Sequence, residues 1–426
     1  MRGQPVGRRF LTACALLFLA AFAARACFFA WRGALTGGDT ADYLLLASNI
    51  AEHGAFSLDT AEPFTPTIRR APLYPLFLAL AGGSTTVVIL LQSALDAVVA
   101  LLVLMLARLA GAPTRWAFAA GAAYAIHPGA IASASTILSE PLFAFTMTVS
   151  AALLSSGLAR DRLPLTAAGG AAFAVASLCR PIAVFYPLAV VAAMPLLLRR
   201  QPRRGAHAAA LVVCLAVVLA PWVVRSSALA GRFVLVQGLS AANFYMASRW
   251  DLNQQDEQQM YRKVFAPESG DPYGHALAEA KTPPELAATD RVAMREGVAN
   301  IGRAPLSYLA MRARSVPYLF LTSFDRFTGL HSSFGSLRAG GRWGALALKA
   351  AMLVLFALLP FALALASLRR GFDNAAALVC ACGWGYTLLI HLPMWIEYRF
   401  WSPVVPLLLV SAALGARRLT GAVLRR

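Results

Sequence analysis

The segment Gly37-Gly38-Asp39-Thr40-Ala41-Asp42-Tyr43 directly follows the first long apolar run of the chain. Two carboxylates where a chain leaves a membrane, followed by Arg69-Arg70 and the turn Pro72-Leu73-Tyr74-Pro75, point to a reaction site at a bilayer surface. Asp39 is the leading acid. A carboxylate at the mouth of a helical bundle can take a proton from an acceptor hydroxyl, or hold a divalent cation that binds a phosphate. The local alternative is a helix N-cap, in which Asp39 accepts backbone N–H bonds and suits the helix dipole. Asp42 falls in the first turn of the same helix, where Asp is common for local reasons. Glu140 follows Ser139 at the start of a later apolar run. Facing a cavity beneath Asp39 it is a second acid or metal ligand; otherwise it is a solvated rim charge. Arg69, Arg70, Arg180 and Arg225 suit phosphate, because a guanidinium offers two parallel N–H donors. The alternative for them is snorkelling to lipid headgroups. Glu397, Tyr398 and Arg399 form a charged patch entering the last apolar run, where charges usually face a bundle interior or a wet cavity; the alternative for Glu397 and Arg399 is pairing with neighbouring charges alone.

The elements that position these residues follow from composition. Of 426 residues, 59% are hydrophobic and 14% charged, with a mean hydropathy of +0.62. Soluble domains carry about half apolar and a quarter charged residues, so the chain reads as a polytopic membrane protein. Its net charge of +18 is spread as short Arg clusters between apolar runs. That pattern fits membrane topology and argues against a nucleic-acid partner. The six cysteines lie in or beside apolar runs without metal-site spacing, and read as small buried hydrophobes. His127, His331 and His391 are scattered. No Walker loop, dinucleotide glycine fingerprint or HExxH motif is present.

Apolar runs fall near residues 10–31, 86–107, 116–127, 139–158, 165–179, 181–198, 207–224, 345–367, 374–393 and 400–415. The first reads as an uncleaved signal anchor, although a cleavage site near Ala24-Arg25-Ala26 is the alternative. The run at 116–127 is short and must borrow neighbours to cross. The expected fold is all-α and polytopic, with about ten or more transmembrane helices and perimembrane helices on the outer side. Arg8-Arg9, Arg108 with Arg115, Arg160 with Arg162, Arg199-Arg200 with Arg203-Arg204, Arg369-Arg370 and Arg417-Arg418 occupy alternate connections. The positive-inside rule makes these cytoplasmic, with both termini. Residues 1–224 then form an N-terminal transmembrane module whose first outer loop, 32–85, carries Asp39. Residues 225–344 form an outer segment with helical patches at 285–301 and 305–324, and 345–426 a C-terminal transmembrane module. Within the first loop, Asp39 to His53 reads as a surface helix, and Pro72 to Leu80 as too brief to span.

Several fragments, in order, resemble the bacterial GT-C glycosyltransferases of the protein-mannosyltransferase and aminoarabinose-transferase type. Asp39 and Tyr43 match the ends of that family's Asp-Glu-x-x-Tyr motif, with Thr40 in place of its Glu. Arg70-Ala71-Pro72-Leu73-Tyr74-Pro75 matches an Arg-Pro-Pro-Leu-Tyr-Pro-like segment with one Pro changed to Ala. Ser139-Glu140, Cys179-Arg180-Pro181, Pro221-Trp222 with Arg225, and Arg399-Phe400 continue the match. The resemblance implies a GT-C-like bundle in a bacterial inner membrane, with its active site facing the periplasm. It implies a polyprenyl-phosphate-linked sugar donor among membrane lipids, and a lipid, glycan or protein acceptor. Asp39 and Glu140 become the catalytic acids. Asp42, Tyr43, Arg69, Arg70, Tyr74, Arg180, Arg225, Glu397 and Arg399 become substrate-binding residues. A divalent metal cation on Asp39 and Glu140 stays open, and Thr40 removes a second acid from that scheme. The alternatives are a lipid-linked sugar transporter or flippase, a polysaccharide ligase or polymerase, and a membrane protein without catalysis.

Overall fold

The computed structural model describes residues 7–197, 203–249, 251–252, 260–316, 319, 325–330, 333–368, 372, 374–396 and 398–423. Within lipid each backbone polar group needs an internal partner, so the apolar runs fold as helices. Among the described residues six are long and apolar enough to cross a membrane: Arg8–Arg32 (α1), Thr85–Leu109 (α4), Glu140–Ala159 (α7), Arg204–Ala230, Trp343–Leu368 and Arg399–Thr420. Three shorter apolar helices accompany them: Leu163–Cys179 (α8), Pro181–Pro195 and Ala375–His391. Between α1 and α4 lie two helices of the first loop, Thr40–His53 (α2) and Leu73–Leu80 (α3). Among the described residues the only β-pairing is two isolated bridges, Leu35 with Thr136 and Ser57 with Pro66. The polytopic all-α architecture expected from the sequence is therefore present.

The short run near 116–127 does not lengthen by borrowing neighbours. It breaks instead into Thr114–Ala125 (α5) and Pro128–Ala134 (α6). A break inside a bundle frees backbone groups, and buried polar side chains meet them here. Arg25, wholly buried in α1, donates through Nη1 to the carbonyls of Ala21 and Ala125 at 2.8 and 2.9 Å. Its Nε pairs with Asp96 of α4, and the Tyr124 hydroxyl donates to the same carboxylate. His127 caps α6 by accepting from the Ala130 N–H at 3.2 Å. Gln92 Nε2 donates to the carbonyls of Ala134 and Thr136, both at 3.0 Å. The charges hidden in the first two spans are thus tied to the broken helix between them.

Close packing elsewhere uses glycine. A Cβ on Gly170 of α8 would lie 2.4 Å from the Leu211 carbonyl oxygen of the neighbouring span. Such small-residue contacts let helices approach where lipid supplies no hydrophobic drive. Among the described residues, basic connections lie at the end of the bundle away from the first loop. There Arg108 lies 4.6 Å from the Phe10 ring centroid, Arg417 donates to the Gly111 carbonyl, and Asp161 meets His207. The first loop lies at the other end of α1, beyond Arg32.

Beyond Ala230 the segment gathers a small core from Tyr245, Val264, Tyr273 and Ala293, which Trp395 of the C-terminal module joins. Its longest helix, Pro283–Arg303, opens with a Thr282/Glu285 capping box. The helical patch expected at 305–324 is a helix over Pro305–Ser315, and 317–318 and 320–324 lie outside the described residues.

Removing one partner of a buried ion pair strands the other charge, at a cost of about 3–5 kcal/mol. Asp96→Ala should therefore lower stability in detergent by about that amount. Pairing it with Arg25→Met should recover part of the loss in denaturant unfolding. An Asp96→Ala variant as stable as the parent would contradict the role given to this pair.

Candidate active site at the outer end of the bundle

The site begins with the isolated parallel bridge between Leu35 and Thr136. The Leu35 N–H donates to the Ser135 carbonyl at 2.8 Å, and the Ile137 N–H donates to the Leu35 carbonyl at 2.9 Å. This register sets residues 37–39 beside residues 138–140. The Thr40 hydroxyl strengthens it by donating to the Ile137 carbonyl at 2.9 Å. The approach is tight at Gly37, where a Cβ would come within 2.8 Å of the Leu138 side chain. Asp39 and Glu140, 101 positions apart in the numbering, are thereby brought to one place.

Asp39 occupies the N-cap position of α2, yet its side chain makes no capping bond. One carboxylate oxygen pairs with Arg70 Nη2 at 2.7 Å, and the other accepts from Arg399 Nη1 at 2.8 Å. The capping alternative is met in position but not in bonding. Burial alone would raise the Asp39 carboxyl; the Arg399 and Arg70 charges, the Arg399 hydrogen bond and the more distant Arg180 overcome it and hold the group down to about 2.

The first loop folds back to deliver Arg70. Asn49 of α2 donates to the carbonyls of Ser57 and Asp59, both at 2.9 Å, closing the chain onto the helix it has just left. Asp42 then accepts from Arg70 Nε at 2.9 Å and pairs with Arg69 at 3.2 Å, so it orients both arginines. The Arg70 guanidinium sits 5.7 Å from the Tyr43 ring centroid. Burial drives the Tyr43 hydroxyl above its ordinary range and keeps it neutral. Glu140 opens α7, where the helix N-terminus favours a carboxylate. It is 3% exposed and pairs with Arg180 Nη1 at 2.7 Å, with Arg399 Nε at 3.9 Å. Arg180 and Arg399 also flank the Phe400 ring, each at 5.4 Å.

The structure thus joins Asp39, Asp42, Tyr43, Arg69, Arg70, Glu140, Arg180 and Arg399 in one relay of alternating charge. Four guanidinium groups face three carboxylates, leaving one positive charge in surplus. Two further candidates stand beside it. Tyr74 packs edge-on against Tyr43, and its hydroxyl donates to Gln92 at 2.7 Å, anchoring the loop to α4. Arg225 lies over the Trp222 and Phe56 rings and donates to the Thr67 carbonyl at 3.3 Å, bracing the loop from outside. Glu397 lies outside the described residues. His127 is the α6 cap described above, and all six cysteines are free thiols. A divalent cation fits poorly, because both Asp39 oxygens and one Glu140 oxygen already face guanidinium groups. Among the described residues no three His, Cys, Asp or Glu side chains gather as a metal-ligand set.

In the sequence Arg25 drew notice only within the Ala24-Arg25-Ala26 segment, and Asp96 and Arg326 drew none. The signal for the first two was a charge inside an apolar run, which is costly without a partner. Arg326 carried no motif; it reaches the site from Asp325–Thr328, a single turn of the outer segment.

No family model matches the chain, and no curated protein matches it. Solved structures do. The chain is similar to the oligosaccharyltransferase AglB of Archaeoglobus fulgidus in complex with an inhibitory peptide and a dolichol-phosphate. That match has 13% identity and a TM-score of 0.53, covering 97% of this chain and 50% of that one. An Archaeoglobus fulgidus oligosaccharyltransferase in complex with Zn and sulfate matches with 13% identity and a TM-score of 0.55, covering 96% of this chain and 49% of that one. ArnT from Cupriavidus metallidurans bound to undecaprenyl phosphate superposes more weakly, with 18% identity and a TM-score of 0.41, covering 95% and 77%. The likeness to the oligosaccharyltransferase shows the fold alone: a polytopic helical bundle. The chain spans about half the length of the oligosaccharyltransferase structures it matches.

A free Asp carboxyl titrates near about 3.9, so a folded value of about 2 means the Asp39 pairing contributes in full above about pH 4. That contribution is lost as the pH falls toward about 2. The stability gap between the protein and Asp39→Asn should be flat from about pH 5 to about pH 8 and close only below about pH 4, by thermal unfolding in detergent. A gap that closes between about pH 7 and about pH 5 would contradict the paired geometry.

Proposed function

We propose that the chain is an integral membrane glycosyltransferase. It moves a sugar from a polyprenyl-phosphate donor to a lipid, glycan or protein acceptor, on the periplasmic face of a bacterial inner membrane, with inversion at the sugar carbon. The observation that carries this reading is the Asp39 carboxylate gripped by Arg70 and Arg399 at the end of the bundle away from the basic connections. A lipid tail can lie among the spans there while its phosphate meets the arginines. Support comes also from the oligosaccharyltransferase of the same fold, whose structure holds a dolichol-phosphate and a peptide.

In this scheme the acceptor oxygen attacks the sugar carbon on the side opposite the phosphate. A new C–O bond forms, the bond from sugar carbon to phosphate oxygen breaks, and its electron pair leaves on the phosphate. The acceptor proton passes to Asp39. While two guanidinium groups hold Asp39 it is a weak base. The donor phosphate competes for Arg70 and Arg399, so its arrival frees Asp39 at the moment a base is needed. Glu140 keeps Arg180 and Arg399 in place, and Asp42 keeps Arg70. The phosphate charge is met by fixed arginines rather than by water. No step calls on a metal.

A transporter would place working charges in mid-span. The Arg25–Asp96 pair is in mid-span, but its donors are spent on Ala21, Ala125 and Asp96 around the break after α5. It serves the fold.

Asp39→Asn should lower sugar transfer from polyprenyl-phosphate donors by about 10²- to 10⁴-fold without loss of membrane expression. A chelator should leave transfer by the parent protein unchanged. Full transfer by Asp39→Asn would exclude Asp39 as the base, and loss of transfer with chelator would restore the metal scheme.

A further inference from the structure

The helix Pro305–Ser315 of the outer segment is turned inside out. Its residues Tyr308, Arg312 and Ser315 are buried, whereas Leu306 and Leu309 are 79% and 60% exposed. Ala310 and Ala313 are exposed with them. Positions 306, 309, 310 and 313 share one face by the three- and four-residue spacing of a helix, so the exposed face is apolar and the buried one polar. A helix bathed by water on its outer side carries the opposite pattern. Whatever covers this face is therefore apolar.

The height of the helix says what that cover is. The Tyr308 hydroxyl donates to the Pro393 carbonyl at 3.4 Å, two residues beyond the helix Ala375–His391. That end of Ala375–His391 is the outer one, since His391 stacks on Phe400, the ring flanked by Arg180 and Arg399. Leu389 and Leu392 are exposed at the same end, so apolar side chains face outward at this level of the bundle. Arg303 and Arg314, both exposed, stand toward the two ends of Pro305–Ser315. An apolar face rimmed by arginines at the edge of a bilayer matches the layering of a leaflet, acyl chains beside phosphates.

We infer that Pro305–Ser315 is a lipid-binding helix: Leu306 and Leu309 enter the acyl region of the outer leaflet, while Arg303 and Arg314 meet the phosphates of anionic phospholipid. This requires only that the spans lie in a bilayer, and is independent of the glycosyltransferase reading. It gives the outer segment a second footing. The preceding helix, Pro283–Arg303, packs Leu286 and Ala287 with Ile68 of the first loop near its start, and hands the chain to the lipid at its end. The bilayer surface then sets the height of the outer segment above the first loop.

The test places a nitroxide on Leu309→Cys in the full chain, with Cys27→Ala because Cys27 is an exposed thiol. The protein is held in nanodiscs of phosphatidylcholine, with or without phosphatidylglycerol. Oxygen concentrates in lipid and a nickel chelate in water, so power saturation with each reads the surroundings of the label. The label at 309 should meet oxygen at least about threefold more readily than nickel, as one on the exposed Val217 of a span should, whereas Arg295→Cys should give the reverse. Phosphatidylglycerol should raise the ratio at 309 by about twofold, and Arg303→Gln with Arg314→Gln should cancel that rise. Should Leu309→Cys not fold, Leu306→Cys carries the test. Nickel access above oxygen access in both lipids would overturn the inference, and low access to both reagents would overturn it in favour of a protein contact. A ratio indifferent to phosphatidylglycerol would overturn the part given to Arg303 and Arg314.

Discussion

The contact between Arg399 and Asp39 spans 360 positions of the chain and ties the first outer loop to the entry of the last span. The rest of the site follows from that link. Arg399 also approaches Glu140, so one guanidinium fixes the relative place of α2, α7 and the final helix. A charge pair in a half-dry setting is worth keeping only if every charge in it is answered. Asp42 answers Arg70, and Glu140 answers Arg180. The relay sets four guanidinium groups against three carboxylates, a surplus that the proposed function assigns to a phosphate. An isolated cluster of arginines would repel itself; the carboxylates interleaved among them keep it assembled.

The supports of this relay are backbone events. The Leu35–Thr136 bridge, the Gly37 close approach and the Thr40 hydroxyl bring two distant acids together without any side chain touching a substrate. Beneath them, the break between α5 and α6 lets the chain turn inside the bundle; Arg25 and His127 meet backbone groups beside it, Asp96 holds Arg25, and Gln92 meets the carbonyls at the end of α6. The same polar residues that make the lower bundle expensive to bury thus place Thr136 and Glu140 where the upper site needs them.

Much of this was legible in the sequence because hydrophobic runs and basic connections obey strong physical constraints. The helical bundle follows from composition and from the need to close backbone hydrogen bonds in lipid. Asp39, Arg70, Glu140, Arg180 and Arg399 stood out as charges at the rims of apolar runs, where solvent alone rarely explains them. What the sequence hid was pairing. Nothing in residues 37–43 says that Asp39 spends its oxygens on arginines instead of on the helix beneath it, since both uses demand Asp at that position. Arg225 looked like the other rim arginines, but its aromatic neighbours hold it over Trp222 and Phe56. Arg326 sits in no pattern at all; its place depends on the pairing of Asp325 with Lys349 and the stacking of Phe327 on Phe28, contacts that only the folded chain creates.

The most direct measurement is a structure of the protein in nanodiscs with a polyprenyl phosphate bound. The account predicts the phosphate within hydrogen-bond distance of Arg70 and Arg399, with the Asp39 carboxylate released from at least one of them. A phosphate bound at the basic end of the bundle, with both Asp39 pairs intact, would contradict it.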